Sequence, residues 1–127
     1  MPGSILYDFG DALRSLFTST NESCKDLSKL KVNFDIYEQF LTGYASKMKN
    51  TLTPKEKELL PFSIFLISME LGIRFLDDYL RGDLYFHTKN SENDNLFRAK
   101  TQITLAKKIF NNLNKLNKMT KQIIDSL

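Results

Sequence analysis

The stretch Leu59–Phe86, LLPFSIFLISMELGIRFLDDYLRGDLYF, decides how the chain folds, because its apolar residues fall on nearly every side of a helix. Leu60, Ile64, Ile67, Leu71 and Phe75 mark one stripe at three- and four-residue steps, and Phe62, Phe65, Leu66, Met69, Ile73 and Leu76 cover most of the remainder. A helix that is apolar all round belongs in the middle of a fold. No charged residue interrupts it between Glu58 and Glu70, a run of eleven residues. A membrane span needs roughly 20, and Glu70, Arg74, Asp77 and Asp78 follow in quick succession, so the spacing predicts a buried core helix.

The charged end of that helix carries the functional question. Arg74 sits between an apolar run and Phe75-Leu76, so its guanidinium either points out of the core or is held by partners, since an unpaired buried charge is very costly. Asp77 and Asp78 lie at the spacing of a helix-surface ion pair, worth a few tenths of a kcal/mol. Alternatively, Arg74 and Tyr85 line a pocket for a polar ligand. Spacing alone leaves both readings open.

Bulk properties bound the rest. With 127 residues the chain forms one domain, large enough to bury roughly two thirds of its unfolded surface. Hydrophobic residues at 42%, including ten Phe, supply a core, and a net charge of +3 is mild. Cys24 is the single cysteine, which excludes an intramolecular disulfide and a cysteine-rich metal site and fits a reducing compartment. As a catalytic nucleophile it lacks a histidine partner beyond His87, so it reads as an incidental exposed thiol. The opening MPGSILYDFGDALR has no basic leader and reaches Asp8 and Asp11 early. A cytoplasmic location is expected.

The remaining elements follow from local signals. Ser4 is a candidate cap for a first helix bearing Leu6, Phe9, Leu13, Leu16 and Phe17, and Gly10 inside it implies close packing against another backbone. Thr18–Lys31 is polar and predicts a loop. From Phe34 to Met48 apolar and aromatic residues recur on one helical side, with Asn33 or Asp35 as cap. Thr53-Pro54-Lys55-Glu56 is a capping box with proline in the first helical position. It predicts a short helix ending near Leu60, with Pro61 starting or kinking the central one. Gly82 is the left-handed residue that closes the central helix. His87–Asn95 reads as a second polar loop, and Asn93 or Asp94 caps a last long helix with Ile103, Ala106, Phe110 and Leu113 on one face. Arg98, Lys100, Lys107, Lys108, Lys115, Lys118 and Lys121 give that helix most of the positive charge, read as a solvated outer face. No nucleic-acid motif accompanies it. The fold class expected is all-α, four or five helices packed around the central one, with no membrane helix and no strand.

MPGSILYDFGDALR, LTPKEKELLP and ELGIRFLDDYLRGDLYF together resemble the C-terminal lobe of bacterial sugar kinases in the aminoglycoside phosphotransferase and choline kinase superfamily, in particular the N-acetylhexosamine 1-kinase group. The resemblance covers most of the chain and places Met1 just after that family's metal-binding aspartate motif. It implies a protein-kinase-like helical subdomain, with an amino sugar as substrate and ATP and magnesium as cofactors of the full-length family. It also implies that Arg74 and Tyr85 contact the acceptor sugar, a role that a guanidinium and a phenol suit chemically. The catalytic loop, the nucleotide lysine and the magnesium ligands of phosphoryl transfer belong to the part of the family upstream of Met1. No catalytic, cofactor-binding or metal-binding residue is therefore assigned here, and the chain alone is expected to be inactive. A lobe separated from its neighbour exposes apolar surface and favours self-association. The reading from another class is a free-standing helical interaction module with a basic C-terminal helix.

Overall fold

Thr53 opens the longest helix. In a computed structural model, which describes residues 2–19, 30–82 and 94–127, Thr53 Oγ1 accepts the Glu56 N–H at 3.1 Å and Glu56 Oε1 accepts the Thr53 N–H at 2.9 Å. Five α-helices and no strand make up the described residues: α1 Pro2–Ser19, α2 Phe34–Met48, α3 Pro54–Leu80, α4 Asp94–Asn111 and α5 Leu113–Asp125. The all-α expectation holds.

Several boundaries differ from the expected ones. Pro61 neither starts nor ends a helix: α3 runs unbroken through it, and its ring is fully buried. Packing thus offsets the backbone hydrogen bond that proline removes. Helix α1 begins at Pro2, so Ser4 lies in its first turn, and it continues through Thr18 to Ser19. Leu30 lies outside any helix, as its polar surroundings imply, yet its side chain is buried in the core. Asn33 caps α2 as expected, its Oδ1 accepting the Ile36 N–H at 3.1 Å, and Gly82 closes α3 at φ +92°. The cap at position 93 and most of the two polar loops fall outside the described residues.

The expected single C-terminal helix is two. Asn112 separates them: its Nδ2 donates to the Lys108 carbonyl at 2.7 Å and its N–H to the Ile109 carbonyl at 3.0 Å, closing the last turn of α4. The buried face is also rotated from the expected one. Ala99, Gln102, Leu105, Ala106 and Ile109 point inward, whereas Phe110 is 55% exposed.

Helix α3 is gripped on two sides by close backbone approaches. At Gly10 a β-carbon would stand 2.7 Å from the Ser63 carbonyl oxygen, so α1 crosses α3 there with no room for a side chain, as its position in the sequence implied. At Gly72 a β-carbon would meet Ile103 Cγ1 at 2.7 Å. Helices α3 and α4 run antiparallel, since Phe65 packs on Phe110 with centroids 5.3 Å apart, Gly72 on Ile103, and Asp78 on Asn95.

The second layer is α2 with α5. Tyr37 is fully buried, and its hydroxyl donates to Thr120 Oγ1 at 2.5 Å while Thr120 donates to the Leu116 carbonyl at 2.7 Å. Lys115 Nζ stands 3.8 Å from the Phe34 ring centroid, and Lys49 Nζ donates to the Leu127 carbonyl at 2.6 Å. The order of these contacts makes α2 and α5 parallel. Phe9 from α1 fills the space between the layers, with Tyr37, Phe40 and Tyr44 around it. Lys108 further ties α4 to the Leu30 carbonyl.

Helix α3 is central but not enclosed. Leu66 is 50% exposed, Ile73 55% and Leu80 74%, all on the side away from the Leu60 and Ile64 core stripe. By length and composition it is also the one helix among the described residues able to cross a membrane, because a mostly apolar window outlasts the eleven-residue run that the charges define.

The glycines give opposite signs on substitution. Alanine normally stabilises a helix interior by about 1 kcal/mol relative to glycine, and Gly43 in α2 has nothing within 4 Å of its β-position. Gly43→Ala is expected to raise stability by up to about that amount, whereas Gly10→Ala lowers it by about 1–3 kcal/mol through overpacking. Urea denaturation of the two variants measures both.

Candidate functional site

Arg74 lies in the last quarter of α3, where the helix is too exposed to bury a charge. Its side chain is 62% exposed, and Nη2 meets Glu70 Oε1 at 2.9 Å. The expected partners, Asp77 and Asp78, are engaged elsewhere: Asp77 holds Arg81 at 3.1 Å, and Asp78 turns inward. Arg74 therefore makes a surface ion pair, but toward the N-terminal side of its own helix. Tyr85 and His87 lie outside the described residues, as does Cys24.

Beside Arg74 is a shallow cleft between α1 and α3, lined by Tyr7, Asp11, Ile67, Glu70, Leu71 and Arg74, with a volume of about 30 Å³. That is room for one or two waters. Ligand sites for drug-sized molecules run to several hundred Å³, so the described residues alone form a corner and not a sugar-sized pocket. Its polar groups are nonetheless of the right kind for hydroxyls: a guanidinium, two carboxylates and a phenol.

A second polar cluster joins the end of α3 to the start of α4. Asn95, fully buried, donates from Nδ2 to Asp78 Oδ2 at 2.8 Å, and Arg98 reaches Asn95 Oδ1 at 3.5 Å with its guanidinium carbon 5.6 Å from the Phe75 centroid. Sequence reasoning read Asp78 only as a surface partner for Arg74. The overlooked signal is spacing: Asp78 stands seven and fourteen residues after Leu71 and Ile64, on the inward stripe, where a carboxylate requires a partner.

A larger concavity lies elsewhere among the described residues. A groove of about 690 Å³ runs between the first two turns of α3 and helix α5, lined by Lys57, Leu59, Phe62, Leu113, Asn117 and Ile124 among others. The break at Asn112 creates it by redirecting α5, so a reading with one continuous C-terminal helix could not contain it.

The groups whose proton affinity the fold visibly alters are tyrosines of the core. Burial pushes the Tyr37 phenol far above its ordinary value, against a smaller lowering by the Thr120 hydrogen bond. Tyr44 is raised as well, first by burial and then by the carboxylates of Asp8 and Glu56. Among the described residues no three His, Cys, Asp or Glu side chains cluster as metal ligands. No protein-family model matches the chain. The class that the fold defines is an all-α protein whose described residues form five helices around one long apolar helix.

Two predictions arise. Arg74→Ala should change stability by less than about 0.5 kcal/mol, as for other exposed i,i+4 pairs, whereas Asp78→Ala, which removes the acceptor of the buried Asn95 Nδ2, should cost about 1–3 kcal/mol; denaturant titration distinguishes them. The second concerns pH. Unfolded tyrosine loses its proton near about pH 10 while folded Tyr37 keeps its own, so the stability contributed is fully present below pH 10 and is lost as pH rises above it. The urea midpoint should fall between about pH 10 and 11.5, and fall less in Tyr37→Phe, which at neutral pH costs about 1 kcal/mol.

Proposed function

We propose that the chain is the helical C-terminal part of a cytoplasmic sugar kinase resembling the N-acetylhexosamine 1-kinases, contributing one wall of the acceptor-sugar pocket through Arg74 and Tyr85 and inactive by itself. One observation supports this reading above the others. Two of the three stretches that carry the resemblance are far apart in sequence and meet in space: Tyr7 and Asp11 share a cleft with Glu70 and Arg74. The donors and acceptors of that cleft match the hydroxyls of a sugar. On this reading a second part of the enzyme completes the small cleft, and that part handles ATP and magnesium, supplying the positioning and electrostatic stabilisation on which phosphoryl transfer depends.

The second reading, a helical interaction module, draws on the exposed outer side of α3 and on the exposed Lys100, Lys107, Lys118 and Lys121 of α4 and α5. The coding sequence directly upstream of the Met1 codon separates the two. The kinase reading expects it to encode, in some frame, an H-G-D type loop and a metal-binding aspartate; their absence in every frame leaves the module. Enzymatically, the purified chain should convert no ATP to ADP in the presence of N-acetylhexosamines beyond a no-protein control, measured by coupled assay. Turnover by the chain alone contradicts the proposal.

A further inference from the structure

The outer side of α3 carries a repeat that its own fold does not use. Leu59, Leu66, Ile73 and Leu80 recur every seven residues, and Phe62, Met69 and Leu76 interleave at the three- and four-residue steps of a coiled-coil seam. The first set is the more open: Leu66, Ile73 and Leu80 are each at least half exposed, whereas Leu59 and the second set, Phe62, Met69 and Leu76, are half-buried. The opposite stripe of the same helix, with Ile64 and Leu71, faces the core. A seam of period 3.5 matches a second helix wrapped against it, since a straight helix drifts about 20° per heptad.

The two edges of the seam differ in charge. Glu70 and Asp77 follow Met69 and Leu76 on one side. On the other side α4 lies against Phe65 and Gly72, and presents Lys100 and Lys107 on the same side as Ile103 and Phe110. Glu70 and Asp77 already pair with Arg74 and Arg81, in exposed contacts that leave both carboxylates accessible. A two-fold axis parallel to α3 sets the acidic edge of one copy over the lysine edge of the other, as the flanking positions of a parallel coiled coil do. Antiparallel pairing sets acid on acid and lysine on lysine. The seam is roughly 30 Å long, the span of about 20 helical residues.

We infer that two copies of this chain associate through the Leu59–Leu80 seam, with their α3 helices parallel. This pairing does not depend on the sugar-kinase reading. A lipid surface is the competing occupant, and vesicle binding by a monomer distinguishes it.

Sedimentation velocity at about 100 µM should give twice the chain mass of 14.7 kDa for the wild type, and one chain mass for Leu66→Glu with Ile73→Glu. That double variant should retain helical circular dichroism, with association weakened at least roughly 100-fold by charges placed in an apolar seam. An independent arm avoids any risk to folding: in a Cys24→Ser background, Leu80→Cys should form an intermolecular disulfide under mild oxidation, since equivalent residues meet only in the parallel arrangement. The inference is overturned if the wild type is a monomer, including one that binds phosphatidylcholine and phosphatidylglycerol vesicles. It is equally overturned if the double variant stays folded and two-copy, or if the Leu80→Cys protein associates without cross-linking.

Discussion

The closeness of helix backbones at Gly10 and Gly72 governs the arrangement of the other elements. Side chains at either position would push α1 or α4 away from α3, since the van der Waals space is already filled by the Ser63 carbonyl and by Ile103. With both helices drawn in, Ser68 and Gly72 become fully enclosed on α3 although neither is a large apolar residue. Beside the buried Leu60 and Ile64, small residues mark the closest helix contacts of α3, whereas Leu66, Ile73 and Leu80 stay on its outer side.

That inversion explains which parts of the fold were legible in the sequence. Local signals with a complete physical mechanism read correctly: Asn33 and the Thr53–Glu56 box satisfy orphan amides at helix starts, and Gly82 adopts the positive φ that other residues avoid. Signals that depend on packing did not. An apolar count favours Ile103 and Phe110 over Gln102, yet Gln102 is buried against α1, with its Nε2 donating to Thr18 Oγ1 at 3.3 Å. Pro61 was read as a boundary because its local cost is known, whereas the burial that outweighs the cost is tertiary. Asn112 lay inside a periodic run, and its side-chain bond to the preceding turn has no periodic signature.

The site was legible to a lesser degree. Spacing leaves Arg74 either pointing out of the core or held by partners; the structure has it exposed, and Glu70, at the same helical distance as Asp78, takes the ion pair. Asp78 went inward because its stripe is the core stripe, and buried Asn95 meets it there with a donor. The polar contacts that tie the helices together, Tyr37 to Thr120 and Asp78 to Asn95, each pair residues from different elements. Such pairs satisfy groups that burial would otherwise penalise by several kcal/mol, and nothing in either partner's neighbourhood announces the other.

The pairing of α2 with α5 joins positions separated by 83 residues. During synthesis on the ribosome, α2 emerges long before the helix that covers Tyr37 and Leu41 has been translated. Loop closure over such a distance slows the search for the native pairing. Completion of this interior must therefore await the emergence of α5, and a nascent chain stalled before Leu113 would present Tyr37 unshielded to whatever chaperones attend it.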